Sequence, residues 1–171
     1  NLEISIKDEI VKKALKIKPD FICIVPENRK EVTTEGGLNL DRNKKRIKSI
    51  IKLFKTKKIR TSLFINPSLK DILRSKDLGA DCIEIHTGKI ANLIKSKKKI
   101  KNELLRIKRC SKLAYKIGLE VHAGHGLDYE STKILSNIKE IKEFNIGHFI
   151  IGESIFYGLS KIIKNFKRIL R

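Results

Sequence analysis

Methionine is absent from all 171 residues, position 1 included. We read this as a chain that begins inside a longer reading frame or was trimmed. Cysteine is scarce as well: Cys23, Cys82 and Cys110 are widely spaced, with no Cys-x-x-Cys pair. Cys23 and Cys82 fall inside apolar runs and read as small core residues. An odd cysteine count without a secretion signal points to a reducing cytoplasm. No apolar run approaches the roughly 18 residues that cross a bilayer, so no membrane partner is expected. Aromatic residues make up 6% of the chain, too few for a surface on which nucleic-acid bases stack. No linker, low-complexity segment or break in composition divides the sequence, and residues 1–171 read as one domain.

Acidic residues are the other deficit, 19 against 39 basic ones, which leaves a formal net charge of +20. Such an excess suits nucleic acid or an anionic surface. Here it is almost entirely lysine, scattered over helical faces beside abundant isoleucine and asparagine. Those three residues share A/T-rich codons, so genome bias accounts for the pattern without a nucleic-acid partner. The charge still raises the local concentration of phosphorylated small molecules.

What is present is alternation. Short apolar runs at Leu2–Ile6, Phe21–Val25, Thr61–Ile65, Cys82–His86, Glu120–Ala123 and Phe149–Ile151 read as strands. Amphipathic stretches near Asp8–Ile17, Arg42–Lys55, Pro67–Leu78, Lys101–Ile117, Ser131–Ile138 and Ser154–Leu170 read as helices. Six strand–helix units on a parallel sheet follow, an α/β protein. A complete barrel of eight units usually takes about 250 residues, more than this chain has. The longest stretch without periodicity, Pro26–Leu40, directly follows a strand, where a long loop is usually functional.

The polar residues gather where such folds bind ligands. His86, His122, His125 and His148 all lie at or beside a strand end, and the C-terminal edge of a parallel sheet is the usual site. In Cys82-Ile83-Glu84-Ile85-His86, alternation puts Glu84 and His86 on one face and the isoleucines on the other. A carboxylate withdrawn from water costs several kcal/mol unless paired, so Glu84 marks either a working group or a buried ion pair. Glu3 shows the same pattern more weakly. Gly124 and Gly126, with Gly147 and Gly152, suit a phosphate held by backbone N–H groups. Gly152 is expected just ahead of the final helix, whose N-terminus favours an anion.

These segments resemble the pyridoxine 5′-phosphate synthase family. The resemblance runs through Asn1-Leu2-Glu3, Val25-Pro26-Glu27 to Arg29 and Glu31-Val32-Thr33-Thr34-Glu35-Gly36-Gly37-Leu38. It continues through Ser62-Leu63-Phe64-Ile65, Ile83-Glu84-Ile85-His86-Thr87-Gly88, Ala123-Gly124-His125-Gly126-Leu127 and Asn145-Ile146-Gly147-His148. All occur in the family's order and spacing. The resemblance implies a (β/α)8 barrel of the TIM type, of which this chain holds the third to eighth units. It also implies condensation of 1-deoxy-D-xylulose 5-phosphate with 3-amino-2-oxopropyl phosphate to pyridoxine 5′-phosphate, phosphate and water.

Carried over by position, Glu3 resembles a carboxylate acid/base, Glu84 a carboxylate that stabilises charge, and His125 a proton donor. Thr33 resembles a contact to the deoxyxylulose phosphate. Gly126, Gly147 and His148 match positions that hold the aminooxopropyl phosphate. Imine formation, dehydration and phosphate loss need proton shuttling by carboxylate and imidazole, so neither metal nor other cofactor is expected. The resemblance further implies a homo-oligomer, an octamer. The family's first two strands, with an Asn-x-Asp-His segment, a phosphate-binding arginine and a His-x-Arg segment, have no match here. The 171 residues alone are therefore expected to have little activity. Two alternatives are a catalytically dead remnant or assembly partner, and another phosphate-binding barrel enzyme.

Overall fold

A computed structural model describes residues 1–26 and 36–171. The chain runs β1 (Leu2–Ile4), α1 (Asp8–Ile17), β2 (Phe21–Ile24), α2 (Lys44–Thr56), β3 (Arg60–Ile65), α3 (Leu69–Leu78) and β4 (Cys82–His86). It continues with α4 (Gly88–Lys95), α5 (Lys101–Lys116), β5 (Glu120–Gly124), α6 (Tyr129–Leu135), β6 (Ile141–Asn145), α7 (His148–Tyr157) and α8 (Leu159–Ile169). The strands form one six-stranded sheet in sequence order, every pair parallel. This is an α/β fold of strand–helix units, as the alternation predicted.

The two faces of the sheet have opposite characters. Ile22, Ile24, Leu63, Ile65, Ile83, Ile85, Val121 and Ala123 point to the helices and join one core with Ile47, Ile50, Phe54, Ile72, Ile90 and Ile107. Full burial of each large aliphatic side chain is worth about 1.5–3 kcal/mol. The opposite face carries Glu3, Cys23, Ser62, Phe64, Glu84, His122 and Glu143, by the register of the pairs. Cys23 and Cys82 are fully buried but lie outside the apolar core cluster, which holds Cys110 alone of the three. The first two are thus interior residues of the polar face.

That polar face is concave. β1 and β6 are separated by five strand spacings of about 4.8 Å each. Yet Asn1 Nδ2, beside β1, donates to Glu143 Oε1 on β6 at 3.3 Å. Only a curled sheet brings two such side chains together. The curl has the sense of a partial barrel, with β1 and β6 as edges among the described residues.

Several elements differ from the sequence expectations. The sixth strand is Ile141–Asn145, and the apolar run Phe149–Ile151 lies inside α7. The reason is that β6, Ile-Lys-Glu-Phe-Asn, interleaves charged residues with apolar ones and buries only Ile141, so it lacks a continuous apolar run. Conversely, α7 is apolar along its length but has no buried residue. The expected final helix Ser154–Leu170 is two helices, broken at Gly158 with φ 79° and ψ 138°. Gly152 sits within α7, so the helix start expected after it falls instead at Gly147. The short α4 was absent from the expected elements.

Candidate active site

At the C-terminal ends of the strands the concave face opens into a cavity of about 780 Å³. Glu3, Glu84, His125, Gly126, Gly147 and His148 all line it. Six of the seven residues singled out from the sequence therefore meet in one place. The seventh, Thr33, lies outside the described residues, as does most of the loop expected to be functional. Glu3 is exposed. Glu84 is 4% exposed.

Glu84 stands on β4 with its carboxylate over β5. Asn145 Nδ2 donates to its Oε2 at 2.9 Å, and the Cys23 thiol donates to the same oxygen at 3.5 Å. Burial, then the charge of Glu3, pushes the Glu84 carboxyl up to about 7. Both protonation states are thus accessible near neutral pH, the condition for a side chain that passes protons. Burial and the same neighbouring acids push the Cys23 thiol well up.

His125 has φ 79°, a left-handed backbone that a residue with a side chain seldom adopts. The loop is held there from below. The Thr87 hydroxyl, fully buried, lies within donating distance of two carbonyls, Gly124 at 2.7 Å and His125 at 2.8 Å. The His125 ring stacks on His86 at 4.8 Å, with Phe64 edge-on to both. Burial lowers the His125 pKa, and the charge of Glu3 opposes this.

The glycines divide into distinct tasks. A Cβ on Gly88 would lie 2.9 Å from both histidine rings. Gly126 has φ 75°. Gly147 has no atom near its missing Cβ and caps α7, whose first residue is His148. An exposed cap of this kind leaves backbone N–H groups and the helix dipole directed at the cavity, suited to an anion. Sequence reasoning missed Asn145, Cys23 and Thr87. A correct placement of β6 would have found Asn145, two residues beyond Glu143 on the same face.

A second polar cluster occupies the N-terminal end of the concave face. Arg60 Nη2 lies 3.1 Å from both Glu120 Oε2 and Cys82 Sγ, and His122 Nε2 lies 2.9 Å from Glu120 Oε1. The ligand atoms of Cys82, Glu120 and His122 come within 4.8 Å of one another, close enough to hold a metal ion. The cationic place, however, is filled by the Arg60 guanidinium, itself fixed over the Phe21 ring at 4.7 Å. Burial pushes the Cys82 thiol up to about 12, away from the thiolate a metal needs.

Comparison with known proteins places the chain in a family. The family model described as pyridoxal phosphate biosynthesis protein PdxJ matches residues 1–171. A pyridoxine 5′-phosphate synthase of Pelagibacter ubique is 69% identical over 169 residues, covering 99% of this chain and 71% of that protein. One of Campylobacter fetus is 41% identical, covering 100% of this chain and 74% of its own length. Among solved structures, citrate synthase SbnG is similar with a TM-score of 0.55 at 11% identity, covering 99% of this chain and 72% of that one. GMP reductase from Trypanosoma brucei reaches 0.59 at 13% identity, covering 99% and 43%. These last two share the fold alone. No helix among the described residues is long and apolar enough to cross a membrane. With a family model matched along its whole length and a relative at 69% identity, the chain belongs to the PdxJ family of pyridoxal phosphate biosynthesis proteins.

Proposed function

We propose that the concave cavity is the active site of a pyridoxine 5′-phosphate synthase. It would condense 1-deoxy-D-xylulose 5-phosphate with 3-amino-2-oxopropyl phosphate to pyridoxine 5′-phosphate, phosphate and water. The observation that carries this reading is the convergence of Glu3, Glu84 and His125 with the Gly147–His148 helix start on one cavity. Those residues come from four strands or the turns that directly follow them, and the chemistry needs all of them close together.

In this reading Gly126, Gly147 and His148 hold the phosphate of the amino ketone, where backbone donors and the α7 dipole offset its charge. Glu84, near half ionisation at neutral pH, stabilises positive charge on imine intermediates as a carboxylate. Glu3, in contact with solvent, serves as acid and base for the dehydrations. His125 donates a proton to a departing oxygen. Thr33 contacts the deoxyxylulose phosphate. We further propose that the six strands are the third to eighth of a (β/α)8 barrel. On that reading the enzyme assembles as a homo-oligomer in the cytoplasm, without metal or nucleic acid.

The test is formation of pyridoxine 5′-phosphate from the two substrates. It is measured for the 171-residue chain and for the chain joined to the further segment its relatives carry. The joined protein should turn over, and the short chain should do so slowly, since β1 and β6 are not paired with each other among the described residues. A joined protein that binds neither substrate would refute the assignment. Binding without turnover would favour the dead remnant.

A further inference from the structure

Glu84 is reached by a side chain from two strands away, across the one position of the intervening strand, Gly124, that offers no side chain. In the sheet register Glu84 pairs with His122 on β5, and His86 pairs with Gly124, which in turn pairs with Asn145 on β6. The Glu84 carboxylate leans over Gly124 to meet Asn145 Nδ2 at 2.9 Å. A Cβ on Gly124 would lie 1.9 Å from Glu84 Oε1 and 3.2 Å from the Asn145 Cβ. No side-chain movement short of displacing the carboxylate relieves a contact that short. Gly124, the last residue of β5, thus has a steric task that Gly147, with open space beside it, does not. Its missing side chain is the space in which the hydrogen bond forms.

We infer that Asn145 is a positioning residue for Glu84, holding one carboxylate oxygen through a gap that only glycine at position 124 leaves open. This rests on the reading of Glu84 as a working group of the cavity. The neutral amide does what a cation could not. It orients the carboxylate and favours its ionised form modestly, while a lysine or arginine there would hold it permanently charged. Among the described residues, Glu3 from β1, Cys23 from β2 and Glu143 from β6 act on the Glu84 carboxyl, and His122 on β5 is its cross-strand neighbour. Both carboxylates oppose its ionisation. Asn145 and Cys23 are the donors that counter them. Asn145 is also the last residue of β6, next to the loop that carries Gly147 and His148. One amide thus fixes the spacing between the carboxylate and the expected phosphate.

The test follows the Glu84 carboxyl carbon by NMR in protein labelled with 13C-glutamate, its resonance identified by loss in Glu84→Gln. Asn145→Ala should raise the Glu84 titration midpoint by about one pH unit, the worth of a lost charge-assisted hydrogen bond. Gly124→Ala should raise it comparably with Asn145 intact. Adding Asn145→Ala to Gly124→Ala should then move it little further. An unmoved midpoint in folded Asn145→Ala, or full additivity of the two changes, overturns the proposal. If Asn145→Ala fails to fold, Asn145→Asp and Asn145→Gln are compared. The acid should raise the midpoint and the amide should not, and equal midpoints overturn the proposal. Failure of the underlying reading is distinguishable, because Glu84→Gln would then leave pyridoxine 5′-phosphate formation unchanged whatever the midpoints do.

Discussion

Two carboxylates stand on the same concave face, one strand apart, and the structure drives them in opposite directions. Glu84 is pushed up to about 7 by burial and by Glu3. Glu120 is pulled below its ordinary value by its hydrogen bond to His122, with Arg60 adding to the effect. Both are hydrogen-bonded, so pairing alone does not separate them. What separates them is the charge of the partner and access to water. Glu120 meets a guanidinium and is 36% exposed; Glu84 meets only an amide and a thiol, in the interior. The N-terminal end of the face thus neutralises charge permanently, and the C-terminal end leaves it adjustable.

The strongest test of that contrast is Glu84→Gln, which should reduce turnover of the complete enzyme by roughly 10³-fold with the fold retained. Glu120→Gln should cost little turnover. Equal losses would mean that the two ends are not functionally distinct.

Next in size is the pH dependence of stability, measured by urea unfolding. A carboxyl raised in the folded state binds its proton more tightly there, so its contribution is present below the unfolded pKa. It is lost as pH rises through the folded one. For Glu84 the window runs from the ordinary 4.5 to about 7. Glu84→Gln should therefore match the parent at pH 4 and exceed its stability by about 3 kcal/mol at pH 8. Glu120 has the opposite sign. Its stabilisation is present above its ordinary pKa and fades as acid brings the pH down through its lowered one. Glu120→Gln should therefore lose stability at neutral pH and converge with the parent in acid.

Thr87→Val, which removes the hydroxyl beneath the His125 loop, should cost about 1–2 kcal/mol and loosen that loop. Faster amide exchange at His125 and Gly126 would report it. Smallest is Arg60→Ala. The Arg60–Glu120 pair is partly solvated, so its loss should cost about 1 kcal/mol in thermal unfolding. A much larger cost would show that the N-terminal cluster is sealed more tightly than its exposure indicates.

The legible parts of the sequence were those where one physical constraint acts alone. β2 to β5 are buried on both faces, and their apolar runs announced them. Glu84 announced itself because a carboxylate in such a run conflicts with its surroundings. β6 was hidden because Lys142 and Glu143 interrupt its apolar residues and leave no run to read. Asn145 was hidden with it, since an asparagine near a loop is ordinary until its register is known. Gly124 was noticed for a real property, its missing side chain, but not for the Glu84 carboxylate that fills the space. Which neighbour fills the space beside a glycine is decided by strand pairing, and pairing is not written in any local pattern.

The three free, buried thiols supply a reporter that needs no added label. Burial pushes the pKa of Cys110 up to about 11 and that of Cys82 up to about 12, and raises that of Cys23 well above its ordinary range. An alkylating reagent therefore meets almost no thiolate until a local opening exposes it. Cys110 belongs to the helical layer, and Cys23 and Cys82 to the interior of the curl. The order in which the three acquire mass under a slow alkylator would therefore record which layer of the molecule parts first.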